Sequence, residues 1–382
     1  MLSRFPYPLE KGDKLRAYYQ LVDLSKQFEI HLVCTTEHAV SAADRAAIAP
    51  LCHQMHVFKL KKIWILWSLF TALFSKKPFQ VAYFYQRHIH RAIRSIIQET
   101  KPDAIFCQLI RATEYVKDEH HCPKTLDYMD AFSKSMERRI AEGRGIAKWL
   151  FRTESRRLGQ YERRIFDYFE HHTVISAQDR NFILHPNRQK IVLIPNGVDN
   201  RFFGNPSEDP QYDLLFTGNM SYAPNIAATQ LIATEILPFV HQTFPAANCL
   251  ISGATPHASL KSLENKQLVI GGWVEDMRDS YRNARIFIAP MMIGAGLQNK
   301  LLEAMAMGLP CITTTLANNA LLATPDVNIL IADDAAGFAQ QIQRLLTSPE
   351  LYDAIASGGK RFVQENYQWS AANQILIELL QS

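Results

Sequence analysis

The sequence predicts an α/β protein of two Rossmann-like domains, each a parallel sheet flanked by helices. Three observations predict it. The 382 residues exceed what one compact core usually holds. Short β-branched runs alternate with longer helical patterns, the sign of crossover units. A stretch rich in Pro, Gly, Asn and Asp separates two similar halves near residues 195–210.

In the first half, strands are expected at Ile30–Cys34, Met55–Lys59, Ala104–Cys107, Lys124–Asp127, Thr173–Ile175 and Ile191–Ile194. Helices fit Leu15–Gln27, His88–Glu99 and Gly145–Phe169. In the second half, strands are expected at Asp213–Phe216, Cys249–Ser252, Leu268–Ile270, Ile286–Ala289, Cys311–Thr314 and Ile329–Ala332. Helices fit Ile226–Leu237, Met277–Asn283, Asn299–Met307 and Ala335–Leu346. The start is unusual: Met1–Pro6 leaves little room for a first strand. Two such halves with a hinge make a natural place for a ligand cleft.

Composition narrows the function. Apolar residues make up 47% and charged residues 20%, a globular balance, and a formal charge of +4 gives no nucleic-acid footprint. Six cysteines form no CxxC pair, and three sit in apolar runs, which suits buried thiols in a reducing compartment. Met1–Pro6 has no apolar core of a signal peptide. The longest apolar run, Ile63 to Phe74, falls short of the roughly 20 residues a membrane span needs. Near-neighbour histidines (His88 and His90, His120 and His121, His171 and His172) show no metal-ligand spacing, so no metal is expected.

The segment Ile286 to Thr314, IFIAPMMIGAGLQNKLLEAMAMGLPCITT, reads as strand, glycine loop, helix, Gly-Leu-Pro stop and strand. Gly294 and Gly296 permit close backbone approach of a ligand. The helix that follows starts near Gln298 and turns its free N–H groups towards the loop, a ready anion site. Lys300 and Glu303, three apart, share one helix face, a cation for phosphate and a carboxylate for ribose hydroxyls. The same residues also fit a tight turn followed by an exposed Lys–Glu pair.

GAGLQNKLLEAMAMGLPCITT resembles the donor-binding segment of retaining glycosyltransferases of the GT-B fold, glycosyltransferase family 4. IPNGVD (194–199), LLFTGNMSYAPNIAA (214–228), GGWVEDMRDSYRNARIFIAP (271–290) and ENYQWSAANQIL (365–376) extend the resemblance. The amino-terminal SRFPYPLEKGDKLRAYYQLVDLSK resembles the subset tied to exopolysaccharide and exosortase-associated loci. The resemblance implies two Rossmann-like domains facing across a cleft: 1–200 on the acceptor side, 201–364 binding nucleotide sugar, and a helix at 365–382 crossing back. It implies retaining transfer from a UDP- or GDP-sugar to a glycan or lipid-linked acceptor, without a cofactor, in the cytoplasm or at the inner face of its membrane.

Residue by residue, Gly294, Ala295 and Gly296, with Leu297, would hold the diphosphate or sugar. Lys300 would neutralise it, and Glu303, the second glutamate of the family's E-x7-E pattern, would contact the ribose. Ala295 stands where the first glutamate belongs, which puts donor-sugar recognition in doubt. Gly218, Asn219, Tyr222 and Asn225 replace the family's usual Arg and Lys. Gly272 and Val274 belong to the nucleobase-side loop. Gly12, with Lys14 or Arg16, resembles the first-domain loop that closes on the phosphates; an exposed charged loop is the plain alternative. Asp127 and Asp130 would orient or deprotonate the acceptor hydroxyl, or else cap the next helix.

The run 59–79, KLKKIWILWSLFTALFSKKPF, combines helical apolar spacing with lysines at both ends, as in a helix lying on an anionic membrane. A helix packed on the first sheet fits the same pattern. The basic tract Arg138–Arg164 would extend that surface or simply be a solvated helix face. Two rival functions stay open: a nucleotide-sugar 2-epimerase on the same scaffold, and a non-catalytic nucleotide-binding protein.

Overall fold

The computed structural model describes residues 1–142, 145–255, 257–293 and 296–382. Two compact units form: Met1–Pro195 together with Trp369–Ser382, and Asn196–Gln368.

The first unit carries strands β1 (His31–Thr36), β2 (Gln54–Lys59), β3 (Ile105–Gln108), β4 (Lys124–Asp127), β5 (His171–Val174) and β6 (Val192–Leu193). β1 pairs with β2, and β3 to β6 pair in chain order, all parallel. Leu2 bridges the two groups, to Cys34 on one side and Gln108 on the other. The short start thus contributes a single bridging residue. Helix Gly12–Leu24 follows it, starting three residues earlier than its apolar pattern suggests. Helix Trp369–Gln381 packs on that helix. Tyr19 and Trp369 stack at 5.0 Å, and Asn373 Nδ2 donates to Tyr19 O at 2.9 Å and to Asp23 Oδ2 at 2.7 Å.

The second unit is one six-stranded parallel sheet. Its strands are β7 (Tyr212–Thr217), β8 (Cys249–Ser252), β9 (Leu268–Gly272), β10 (Ala284–Ala289), β11 (Cys311–Thr313) and β12 (Leu330–Ile331), ordered β12-β11-β10-β7-β8-β9. Its central strands are buried throughout (Leu214, Leu215, Phe216; Ile286, Phe287, Ile288), which is why they read as unbroken apolar runs rather than alternating ones. The helix expected at 226–237 is broken by a wide turn at Ile232–Ile236 between Ala223–Leu231 and Leu237–His241. Pro238 lacks the N–H that a regular helix needs there.

Candidate functional site

In a sheet of this order the two strands at the reversal, β7 and β10, send their connections to opposite faces, and the crevice beyond their carboxyl ends is where ligands bind. Three glycines follow the carboxyl ends of β7 and β8 and close β9. Gly218 N donates to Ser252 O at 3.0 Å, and Gly253 N to Gly272 O at 2.7 Å. Gly218 has φ +153° and Gly253 φ +144°, and a Cβ on Gly253 would stand 1.8 Å from Gly218 O. No side chain fits between these turns.

From the other side of the reversal, β10 leads through Pro290 to helix Asn299–Ala306, whose Gln298 cap supplies no side-chain bond to the helix N–H groups. Gln298 Nε2 instead donates to Gly296 O at 2.9 Å. Space is open around Gly296, and Leu297 packs against the core. Gly294 and Ala295 lie outside the described residues.

Lys300, on the first turn, sends its amine back over the sheet. Nζ donates to Asn225 Oδ1 at 2.6 Å, lies 3.8 Å from Met291 Sδ and sits 4.4 Å above the Phe216 ring. Burial lowers its pKa to about 7, with the Glu303 carboxylate acting in the opposite sense. One turn on, Glu303 Oε2 accepts from Tyr281 Oη at 2.8 Å. Burial raises the Glu303 carboxyl to about 7, against the pull of the Tyr281 hydrogen bond and of Lys300. Tyr281 is fully buried, 2.9 Å from Thr217 Oγ1 and 3.4 Å from Lys300 O. A cation and a carboxylate, both poised near neutrality, therefore share one helix face at the sheet's reversal point. An anion arriving there would restore the lysine's charge.

The remaining second-unit residues take different parts. Asn225 holds Lys300 with one end and donates to Asn219 O at 2.9 Å with the other. The Asn219 side chain accepts from Ser221 N at 2.9 Å and from its Oγ at 2.7 Å, so it shapes its own turn rather than reaching for a ligand. Tyr222 is exposed, at the start of helix Ala223–Leu231. Gly272 ends β9 at φ +69°, and Val274 follows it, half-buried. Nothing in the sequence alone singles out Tyr281. It lies 22 residues from Glu303 on another element, and no local pattern joins them.

In the first unit, Asp127 departs from its expected role. Its side chain and that of Arg16 have no exposed surface, with Nε 2.6 Å from Oδ2. Asp127 also accepts from Thr173 Oγ1 at 2.9 Å, Gln20 Nε2 at 3.4 Å and Met129 N at 3.2 Å. A carboxylate so enclosed anchors helix Gly12–Leu24 to the sheet, and neither Asp127 nor Arg16 can reach an incoming ligand. Gly12 is exposed, with open space around it, and Lys14 Nζ pairs with Glu10 at 3.0 Å. Asp130 is half-buried, and its Oδ1 has no hydrogen-bond partner among the described residues. Burial, reinforced by the Asp179 carboxylate, raises it to about 7. Among the described residues no group of three or more His, Cys, Asp or Glu is placed to hold a metal ion.

Comparison with known proteins bears on the fold. Residues 211–348 match the family model described as Glycosyl transferases group 1. Over its whole length the chain is similar to Anabaena HepE in complex with UDP and glucose, at a TM-score of 0.68 and 13% identity, covering 100% of this chain and 98% of that one. Sucrose-phosphate synthase from Thermosynechococcus elongatus matches at 0.69 and 15%, covering 100% and 97%. An uncharacterized 44.6 kDa protein in the cps region of Klebsiella pneumoniae is 22% identical over 95% of this chain and 94% of its own. The architecture is thus that of the GT-B glycosyltransferases: an α/β fold with parallel sheets in two units.

Proposed function

We propose that the chain is a retaining glycosyltransferase that moves a sugar from a UDP- or GDP-sugar to a glycan or lipid-linked acceptor in cell-surface polysaccharide synthesis. The observation that carries this reading is the Lys300–Glu303 pair on the first turns of helix Asn299–Ala306, backed by Asn225 and Tyr281. The uncapped helix start and the Lys300 amine stabilise the diphosphate as it leaves, and Glu303 accepts ribose hydroxyls. Both side chains are held in place before the donor arrives, so little reorganisation is needed during transfer. Asp130, with a carboxyl near neutrality, is the first-unit group suited to orient or deprotonate the acceptor hydroxyl.

Two structural neighbours support the donor class. HepE has been solved with UDP-glucose, and TarM in a complex that includes UDP and alpha-GlcNAc-glycerol. The relative in the cps region supports the polysaccharide setting.

The test is a thermal-shift panel of nucleotide sugars, followed by product analysis with the donor that binds. Stabilisation by one nucleotide-diphosphate sugar, and transfer with the anomeric configuration kept, is the expected result. No stabilisation by any nucleotide or nucleotide sugar refutes the reading. A converted sugar nucleotide formed from donor alone would make the chain an epimerase instead.

A further inference from the structure

Helix Lys62–Leu73 is apolar on every side, yet only a narrow stripe of it faces the protein. Ile65 and Ala72 are buried. On the opposite face Ile63, Trp67, Phe70 and Phe74 repeat at helical spacing and are 72%, 58%, 53% and 80% exposed. A helix apolar all round belongs in a protein interior or in lipid. At 1.5 Å per residue this one is about 18 Å long, against a hydrocarbon core of about 30 Å. No described helix is long and apolar enough to cross a membrane.

A second apolar tip is tied to the first. In helix Gly145–Ile165, Ile146 is 84% and Trp149 60% exposed. Two turns further on, Arg157 Nη1 donates to Ala72 O at 2.7 Å and Nη2 to Leu73 O at 3.4 Å. Glu154 accepts from the backbone N–H of Phe79 at 2.8 Å and of Gln80 at 2.9 Å. These bonds clamp the end of the 62–73 helix to the longer one. They set Trp149 about 12 Å along the helix axis from the clamp.

Charge selects the occupant. The 54 residues from Arg45 to Gln98 contain nine Lys or Arg and no Asp or Glu. Lys59, Lys61, Lys62 and Lys76 are exposed around the two ends of the apolar helix. Beside it runs a groove of about 630 Å³ into which Trp64 and Trp67 project with Arg87 and Arg91. A second copy of this chain docking symmetrically would press one lysine-rich rim against another. An anionic headgroup layer over an apolar interior complements both the rim and the face.

We propose that this surface seats the protein on an anionic lipid bilayer, with the 62–73 helix lying in the plane of the interface and Trp149 as a second anchor. The inference is independent of the donor-site reading. It is tested by sedimenting the full chain with phosphatidylglycerol–phosphatidylcholine vesicles and with phosphatidylcholine vesicles alone. Binding to the anionic vesicles is expected, at least tenfold stronger than to the neutral ones and weakened by raising the salt.

The double variant Trp67→Glu, Phe70→Glu alters only exposed positions. It should keep its melting temperature and nucleotide-sugar affinity and lose at least tenfold in vesicle binding. Lys61→Glu with Lys62→Glu should lose severalfold on anionic vesicles and change little on neutral ones. Three results would overturn the proposal: a wild-type chain that leaves anionic vesicles bare, a double variant that binds them like the wild type, or a wild-type dimer that the double variant turns into a monomer. Unchanged nucleotide-sugar binding in any of these cases would leave the donor site standing.

Discussion

Replacing Lys300 with methionine tests the donor site most directly. The unbranched side chain keeps the packing between Phe216 and Met291 and removes only the amine. In the free protein that amine titrates near pH 7, far below the ordinary lysine, because burial disfavours its charge. At pH 7.5 it is therefore mostly neutral, and charging it costs about 0.8 kcal/mol. A phosphate oxygen about 4 Å away returns about 4 kcal/mol per unit charge at an effective dielectric near 20. The difference, about 3 kcal/mol, is roughly a hundredfold in affinity.

The pH dependence carries the signature. Above pH 7 the wild type must take up a proton to bind, so log Ka should fall towards one unit per pH unit. In Lys300→Met that slope should vanish. Stability moves the other way. Between pH 7 and the ordinary lysine value the unfolded chain holds more protons than the folded one, so this group makes the wild type more stable as pH rises. The variant lacks that term. Calorimetric titration with the nucleotide diphosphate from pH 6.5 to 9, in two buffers of different ionisation enthalpy, measures both affinity and proton uptake. Affinity within threefold of the wild type, or undiminished proton uptake, would refute the assignment.

Three further substitutions follow from the same contacts. Tyr281→Phe removes the hydroxyl that donates to Glu303 and should cost about 1–3 kcal/mol of stability, together with nucleotide affinity, read by denaturant unfolding and titration; unchanged values for both would separate Tyr281 from the site. Arg16→Met should cost about 3–5 kcal/mol, because Asp127 is left buried and uncompensated, and Arg16→Met with Asp127→Leu should recover most of that in the same unfolding assay. Gly253→Ala would drive a Cβ into Gly218 O; a stability loss of at least about 2 kcal/mol with weaker nucleotide binding is expected, and an unperturbed melting temperature would contradict the close approach.

What could be read from the residues alone divides along a physical line. All twelve strands among the described residues were legible, because short apolar β-branched runs bounded by turn residues have few other uses. Lys300 and Glu303 were legible as a pair, because i, i+3 spacing fixes a common helix face. Contacts between distant segments were not. Arg16, set among charged neighbours, reads as solvent-facing, and its burial depends on Asp127, 111 residues away. Asn219 has the composition of a ligand-binding turn, and only the position of Ser221 shows where its side-chain oxygen is committed. The wide turn at Ile232–Ile236 had a signal in Pro238, which an apolar period alone passes over.

The first unit is discontinuous along the chain. Leu24 and Ile194 share a small core with Ala372, Leu376 and Ile377, and the whole of Asn196–Gln368 intervenes. On the ribosome, the amino-terminal part of that core must wait, with Leu24 and Ile194 uncovered, while about 170 more residues emerge. The inserted unit is continuous in sequence, so it can close its core as soon as Gln368 has emerged, before the Trp369–Gln381 helix that completes the first unit. Shortening the message from its 3′ end should therefore yield nascent chains whose second unit resists protease while the first is still cleaved.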